Sequence, residues 1–260
     1  MSGVTLASVT RSEWIKFRSV RSTLMGVIVT TVLTVGLGAL IATAVRANWN
    51  QMDPIRQLAF DPVSTSLGGT LFAQFAVGVI GTLFITSEYS SGSIRTTLAA
   101  VPRRSLVVTG KLVVLVGSLL VVTEVVCVAT FLLGQSIFSG VVPTASLGDG
   151  AVLRSVLLGG VYLTLLAVLG LALGLILRQS AASISTFTSL LLVIPIILFL
   201  LPQSWQNATT KFMPSALGRS MMSTRAPENF FGAWTATSLL VLYVVVAFAV
   251  GVVLMVRRDA

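Results

Sequence analysis

The chain has 260 residues, of which 55% are hydrophobic and only 10% are charged, whereas about a quarter of the residues of a soluble domain are charged. This composition excludes an ordinary soluble fold and predicts a protein of the lipid bilayer. The formal net charge of +9 does not indicate nucleic-acid binding, because the cations lie between apolar runs and form no basic face. The single cysteine, Cys127, excludes an intrachain disulfide, and the lack of histidine excludes the commonest general base and most zinc sites.

The N-terminal residues 1–22 predict an amphipathic helix that lies in the inner membrane interface before the first apolar run. Leu6, Val9, Trp14 and Phe17 share one arc at helical spacing, although Glu13 falls within the same arc. Such a helix packs at the interface ahead of a span. The alternative is a plain membrane anchor without a further role.

Six apolar stretches follow, each long enough to cross a bilayer as a helix of about 20 residues. The predicted spans are residues 23–45, 67–86, 112–137, 152–177, 182–201 and 233–256. An all-β barrel is the poor alternative because the runs are too long and lack alternation with period two. The sequence therefore predicts an all-α integral membrane protein with one transmembrane domain over residues 1–260, and Pro195 predicts a kink in the fifth span.

The orientation follows from lysine and arginine, which favour cytosolic loops. With both termini in the cytosol, the inner segments hold eleven of these residues and the outer loops hold six. The tryptophans also fall at predicted span ends, where indole rings prefer the interface, and they are Trp14, Trp49, Trp205 and Trp234. The long outer segment, residues 202–232, predicts short helices that cover the outer face.

Polar residues inside the spans are candidates for a translocation path. They are Thr31, Thr34, Gln74, Ser185 and Ser189. The alternative is structural, because serine and threonine also bond to carbonyls of their own helix.

Glu124 is the one ionisable residue expected deep in a span, where such groups are costly and frequently functional. It either binds a proton or a cation, or links two helices by hydrogen bonds. The pair Gly170-x-x-x-Gly174 predicts close helix packing within the chain.

Residues 87–111 form a polar segment between the second and third spans. A helix is predicted over Ser93–Ala100, entered at Gly92 and stopped before Pro102. Ile94 and Leu98 lie at i, i+4 on one face with Arg95 beside them, which is typical of a docking surface. The alternative is a plain polar loop that obeys the charge rule.

No nucleotide-binding motif is present, since the only Gly-Lys pair, Gly110-Lys111, is followed by leucine where a phosphate loop has serine or threonine. Metal-binding motifs such as H-E-x-x-H and C-x-x-C are also absent. The sequence therefore predicts that the chain is not an enzyme by itself and binds no metal or cofactor.

Three segments resemble the membrane subunits, or permeases, of type-2 ATP-binding-cassette (ABC) exporters. They are SEWIKFRSVRSTL at residues 12–24, SEYSSGSIRTTLAAVPRR at residues 87–104, and the ending VRRDA. The second is the most specific, although members of that family often have threonine where Ser93 stands. The resemblance covers nearly the whole chain.

The resemblance implies a six-span half-transporter in the plasma membrane, such as a bacterial cytoplasmic membrane. It implies a second permease copy or paralogue, membrane lipids around the spans, and two cytosolic ABC ATPase subunits that bind ATP and magnesium. The polar segment then holds a coupling helix, and the residues expected to dock the ATPase are Glu88, Gly92, Ile94, Arg95, Leu98, Arg103 and Arg104.

Two other classes stay open at this stage. A proton-coupled secondary transporter would use Glu124, but most such folds have ten or more spans and internal repeats, which this chain lacks. The other class is a membrane scaffold or immunity factor. The weak polar stripes fit amphiphiles, drugs and peptides alike as substrates.

Overall fold

A computed structural model describes residues 5–101, 103–225 and 229–257, and within them the regular structure is helical. The predicted helix stop at Pro102 and the inner cation Arg258 lie outside the described residues. The helices are α1 (Leu6–Ser19), α2 (Arg21–Asn48), α3 (Pro54–Leu58), α4 (Pro62–Ser66), α5 (Thr70–Ser90), α6 (Ser93–Ala100), α7 (Arg104–Phe138), α8 (Gly150–Leu177), α9 (Ser180–Thr188), α10 (Ile194–Phe199), α11 (Gln203–Thr209), α12 (Pro214–Met222) and α13 (Ala233–Arg257).

Six helical segments among the described residues are long and apolar enough to cross a membrane, as the sequence predicts. In chain order, spans 1 to 6 are Arg21–Gln51, Pro62–Ser90, Arg104–Phe138, Gly150–Leu177, Ser180–Phe199 and Ala233–Arg257. Span 3 begins at Arg104, well before the predicted start at residue 112. Lys111, expected in a loop, is therefore a helix residue.

Local sequence explains where several helices begin. The Asp61 carboxylate accepts hydrogen bonds from the backbone N–H groups of Val63 and Ser64, and Pro62 occupies the first turn of α4. Asp149 caps α8 in the same way through the N–H of Ala151. Carboxylates suit these positions because the first N–H groups of a helix have no partner within it. Thr5 and Ser8 form a reciprocal capping box at the start of α1.

Span 4 is the centre of the bundle, with α5, α7 and α13 packed around it. Glycines allow its closest approach to α5. A Cβ on Gly170 would collide with the backbone of Gly78, and a Cβ on Gly81 would collide with the carbonyl of Ala167. The prediction that Gly170 and Gly174 serve packing within the chain is confirmed, since both lie against α5.

Span 5 contains a π-helical segment next to Pro195, where the sequence predicts a kink. A π-helical segment, Ser189–Val193, separates α9 from α10, and Pro195 lies in the first turn of α10. Proline lacks the N–H that would continue the α-helical ladder, and a π segment is a common accommodation at such a site.

Side-chain bonds define which helix ends lie together. Arg104 at the start of α7 donates to the carbonyl of Met255 near the end of α13 at 2.9 Å. At the other end of the bundle, Arg46 donates to the carbonyl of Ile137 at 2.6 Å, which joins the last turns of α2 and α7. Since α1 packs on the first part of α7, α1 and the end of α13 share one end of the bundle, called here the α1 end.

Candidate functional site

Helix α1 is fixed to the spans by one buried face. Val9, Glu13 and Phe17 follow each other at intervals of four and are its buried residues. Val9 covers Gly110 of α7, where a Cβ would approach the valine side chain to 2.8 Å. The Phe17 ring meets the Phe84 ring of α5 edge-on, with centroids 5.4 Å apart. The acidic residue in the apolar arc is thus at the centre of a packed contact.

Four charged side chains meet at this contact, and we call Glu13, Lys16, Glu88 and Lys111 the charge cluster. The Nζ of Lys111 lies 2.7 Å from Glu13 Oε2 and 2.8 Å from Glu88 Oε1. The Nζ of Lys16 lies 2.8 Å from Glu13 Oε1 and 2.9 Å from Glu88 Oε1. Two cations and two anions therefore join α1, the last turn of α5 and the first part of α7.

The charge cluster is largely buried, so the stability of the protein depends on the pairing of its charges. The side chains of Lys111 and Glu13 are each 1% exposed, and the Lys111 ammonium also donates to the carbonyl of Phe84. All three ammonium hydrogens of Lys111 thus have acceptors, while the Phe84 ring lies 4.6 Å from its nitrogen. Removing one partner of such a pair leaves a buried charge without compensation, which is strongly destabilising.

Lys16 is the outermost member of the charge cluster. Burial acts to lower the pKa of Lys16, but hydrogen bonds and attraction from Glu13 and Glu88 outweigh it and raise that pKa above its ordinary value. The stabilisation from this raised pKa is fully present below the ordinary lysine pKa. It is lost only as the pH rises through the higher folded-state value, so Lys16 stays charged at neutral pH.

Helix α6 follows the charge cluster directly. Gly92 turns the chain with φ +72°, a left-handed conformation that suits glycine, and α6 starts at the next residue. Ile94 is 3% exposed and packs into the core of its own chain, so it does not present a docking surface as predicted. Glu88 also faces inward, because it belongs to the charge cluster. Of the other predicted docking residues, Gly92, Arg95 and Arg103 are exposed, and Leu98 and Arg104 are half-buried.

A cavity of about 520 Å³ separates α6 from α1 and the start of α2. Hydroxyl groups from both sides line it, together with Lys16 and Glu88 of the charge cluster. These hydroxyls belong to Ser22, Thr23, Ser87, Ser91, Ser93, Thr96 and Thr97. On α6 the cavity is lined by Ser93, Thr96 and Thr97, and neither Arg95 nor Leu98 belongs to its wall.

At the opposite end of the bundle, helix α12 is anchored by hydrogen bonds of Asp61 and of the Ser223 carbonyl, which together are called here the polar knot. The Asp61 carboxylate accepts hydrogen bonds from the Ser223 hydroxyl at 3.2 Å and the Thr224 backbone N–H at 2.9 Å. Arg154 and Ser155 of α8 both donate to the carbonyl of Ser223. The segment after α12 is thus tied to α4 and α8, which fixes the position of α12 itself.

Two adjoining cavities, called here the α12 cavities, lie beside this anchored helix. The first, of about 410 Å³, has a partly polar wall that includes Thr70 and Tyr162. The second, of about 390 Å³, has an apolar wall from α5, the π segment and α10. The residues common to both walls are Leu71, Gln74, Ser215 and Arg219.

The predicted path residues are spread over three spans, and Gln74 is the one among them that lines the α12 cavities. Its amide is occupied within the chain, accepting from the Tyr162 hydroxyl at 2.5 Å and donating to the carbonyl of Leu71 at 2.7 Å. Thr31 and Thr34 donate to carbonyls of their own helix. Ser185 is exposed and Ser189 is half-buried on span 5.

Glu124 lies against α8, where a Cβ on Gly160 would approach its carboxyl group to 2.5 Å. Its Oε2 is buried and has no hydrogen-bond partner among the described residues. The polar link between α7 and α8 is made by the neighbouring Thr123, whose hydroxyl is 2.9 Å from the Gly160 carbonyl and 3.1 Å from the Thr164 hydroxyl.

The sequence interpretation missed the roles of Glu13, Lys111 and Arg219. Glu13 carried a signal, because an acid inside an apolar arc needs a buried partner. Lys111 looked like a loop cation, since it directly precedes the most apolar stretch of α7. Glu124 itself is half-buried, and the ionisable side chains buried within described span helices are Lys111 in α7 and Glu88 in α5.

These features define a multi-span helical membrane protein with a surface helix that carries an exposed arginine at one end and partly polar cavities at the other. A model of the ABC-2 family transporter proteins matches residues 10–195, from α1 into span 5. The chain therefore belongs to the ABC-2 transporter family, whose membrane subunits generally work with separate ABC ATPases. A search of curated proteins finds no match to the chain.

Proposed function

We propose that the protein is the permease subunit of an ATP-driven exporter and that α6 is its coupling helix. Two cytosolic ABC ATPase subunits would bind ATP and magnesium and dock on α6. A second copy of this chain or a paralogue would complete the translocation path in the cell membrane. Membership of the ABC-2 family supports this assignment.

The observation that carries the proposal is the exposed surface of α6. Arg95 and Arg103 are exposed and have no ion-pair partner among the described residues, while Leu98 keeps part of its surface open. An apolar side chain between cations suits a partner groove with an apolar centre and acidic edges.

Helix α5 supports coupling between the two ends of the bundle. It carries Gln74 in the wall of the α12 cavities and Glu88 in the charge cluster. These residues lie roughly 20 Å apart along one continuous helix at 1.5 Å per residue. A displacement of α6 would thus be transmitted to the α12 cavities through α5. The last turn of α5 is also bonded to α1 through the charge cluster.

The test is the double variant Arg95→Glu/Leu98→Ala. We expect the variant to be folded and inserted but to lose ATPase retention in pull-downs or ATP-dependent transport in vesicles. The charge reversal would repel acidic partner groups, and truncating a packed interface residue typically costs about 2 kcal/mol or more of binding.

A matched control exists at the opposite end of the bundle. Arg56→Glu/Leu58→Ala makes the same changes on α3, where Arg56 is exposed and Leu58 is 83% exposed. The control should keep ATPase retention and transport. Full retention and transport in the α6 variant would contradict the proposal, and transport without ATP would favour a secondary transporter.

The proposal also requires the α1 end to face the cytosol. We expect a cysteine at Ser146 to react with a membrane-impermeant thiol reagent in intact cells and a cysteine at Ser105 to react only after permeabilisation. Both positions are exposed, and the buried Cys127 is replaced by alanine in both variants. The excess of cations in the segments of the α1 end is the physical reason. If only Ser105→Cys were labelled in intact cells, the α1 end would face outward and the prediction would be wrong.

A further inference from the structure

We propose that the α12 cavities bind an amphiphile with an anionic headgroup, and that such amphiphiles are the cargo of the permease. The headgroup would lie on Arg219, and the apolar part would lie along the π segment and α10. The claim that these amphiphiles are transported rests on the proposed function. The claim that they bind rests on the geometry of the α12 cavities alone.

The electrostatics of the cavities favour an anion. Arg219 contributes to both walls and has no hydrogen-bond or ion-pair partner among the described residues. None of the residues described along either wall is acidic. A guanidinium group presents five donors and no acceptor, and it binds phosphate, sulfate or carboxylate through paired hydrogen bonds.

The other polar groups of the walls leave Arg219 as the main free donor. The Tyr162 hydroxyl and the Gln74 amide are already bonded to each other, and the Thr70 hydroxyl donates to the carbonyl of Leu67. These groups shape the polar wall without competing for a ligand. Ser215, which lies in both walls, is placed to add a hydroxyl contact beside the guanidinium.

The second cavity supplies the apolar half of the site. Leu191 and Leu192 reach it from the π segment, Pro195, Ile196 and Phe199 follow from α10, and Phe72 and Phe75 face them from α5. π segments inside helices occur frequently at functional sites. Each cavity falls within the range of about 300–1,000 Å³ that small-molecule sites occupy, and a polar wall beside an apolar one fits an amphiphile.

Helix α12 holds Arg219 in a defined place. Gly218, the preceding residue, packs on the Tyr162 ring so closely that a Cβ there would collide with it. The polar knot at Asp61 fixes the segment after the helix. The exposed Arg219 is therefore carried by an anchored backbone between two cavities.

The experiment uses the full-length chain in lipid nanodiscs without the ATPase. The probes are hexadecyl phosphate with a diazirine in its chain and the matching diazirine hexadecanol, which lacks the charge. Peptides that contain residues 191–199 are analysed for photolabelling by mass spectrometry. We expect the phosphate probe to label this region in preference to the alcohol, and Arg219→Ala to lower its labelling about tenfold, as for a charge-assisted hydrogen bond.

Three variants sharpen the test. Arg219→Lys should keep part of the phosphate labelling, since the charge remains, whereas labelling by the alcohol should not depend on Arg219. Arg56→Ala removes an exposed cation at the same end of the bundle and should leave both probes unaffected. Equal labelling by the two probes, or labelling independent of Arg219, would overturn the binding site.

The assignment as cargo has its own measurement. With the ATPase partner present in vesicles, the phosphate probe should be transported in an ATP-dependent manner, and Arg219→Ala should lower the rate about tenfold. Binding without transport, while the complex transports another compound, would identify a permanently bound lipid and overturn the cargo assignment. If the wild-type protein showed neither ATP-dependent transport nor ATPase retention, this would instead count against the proposed function. The binding measured in nanodiscs would still stand.

Discussion

Replacement of Lys111 by methionine is expected to destabilise the protein by about 3–5 kcal/mol, because it leaves a buried glutamate pair with only one cation. Glu13 and Glu88 both bond to the Lys111 ammonium, which is 1% exposed. The remaining cation, Lys16, has a side chain that is 37% exposed. The effect is measured as the free energy of unfolding of the purified chain in detergent and as its level in the membrane.

The matched change is Lys16→Met, made in the same charge cluster. It should cost much less, since Lys16 is the more exposed cation and Lys111 would still bond to both buried carboxylates. Replacement of the three inner members together, by Glu13→Gln, Glu88→Gln and Lys111→Met, should recover most of the stability lost in the single variant, because the only charge that remains is that of Lys16, whose side chain is 37% exposed. Equal stability of Lys111→Met and the wild-type protein would show that the charge cluster is not formed.

A single methyl group on Gly81 is expected to disrupt the packing of α5 on α8. The Cβ of Gly81→Ala would collide with the backbone carbonyl of Ala167, which belongs to a rigid helix and cannot rotate away. Overpacking in a dense interior typically costs about 1–3 kcal/mol, and a collision between backbones belongs at the upper end of that range. The midpoint temperature of unfolding in detergent should therefore fall clearly.

The control for this change is Gly117→Ala in α7. It makes the same substitution within a span, but its Cβ would have no neighbour within 4 Å. Alanine is the better helix former by roughly 0.5–1 kcal/mol, so this variant should be neutral or slightly more stable. Indistinguishable unfolding temperatures for Gly81→Ala and Gly117→Ala would contradict the close approach of α5 and α8.

The sequence by itself determined the class of the protein and its six spans. A run of about 20 apolar residues is a local property, and in a bilayer it has one stable solution, a helix that satisfies its own backbone. Local signals also predicted the helix at Ser93–Ala100. The family resemblance, carried by short motifs, was confirmed by the match over residues 10–195.

The tertiary structure decided which polar residues are buried and with whom. Lys111 and Glu13 are 98 residues apart in the chain, and no periodicity connects them. Ile94 and Leu98 share a face by spacing, yet the packing of α6 on its own chain buries Ile94 and leaves Leu98 partly open. Arg219 is a candidate ligand-binding residue only because the fold places α12 beside the π segment. The physical reason is that burial and charge pairing depend on neighbours from other helices, whereas span formation depends on the segment alone.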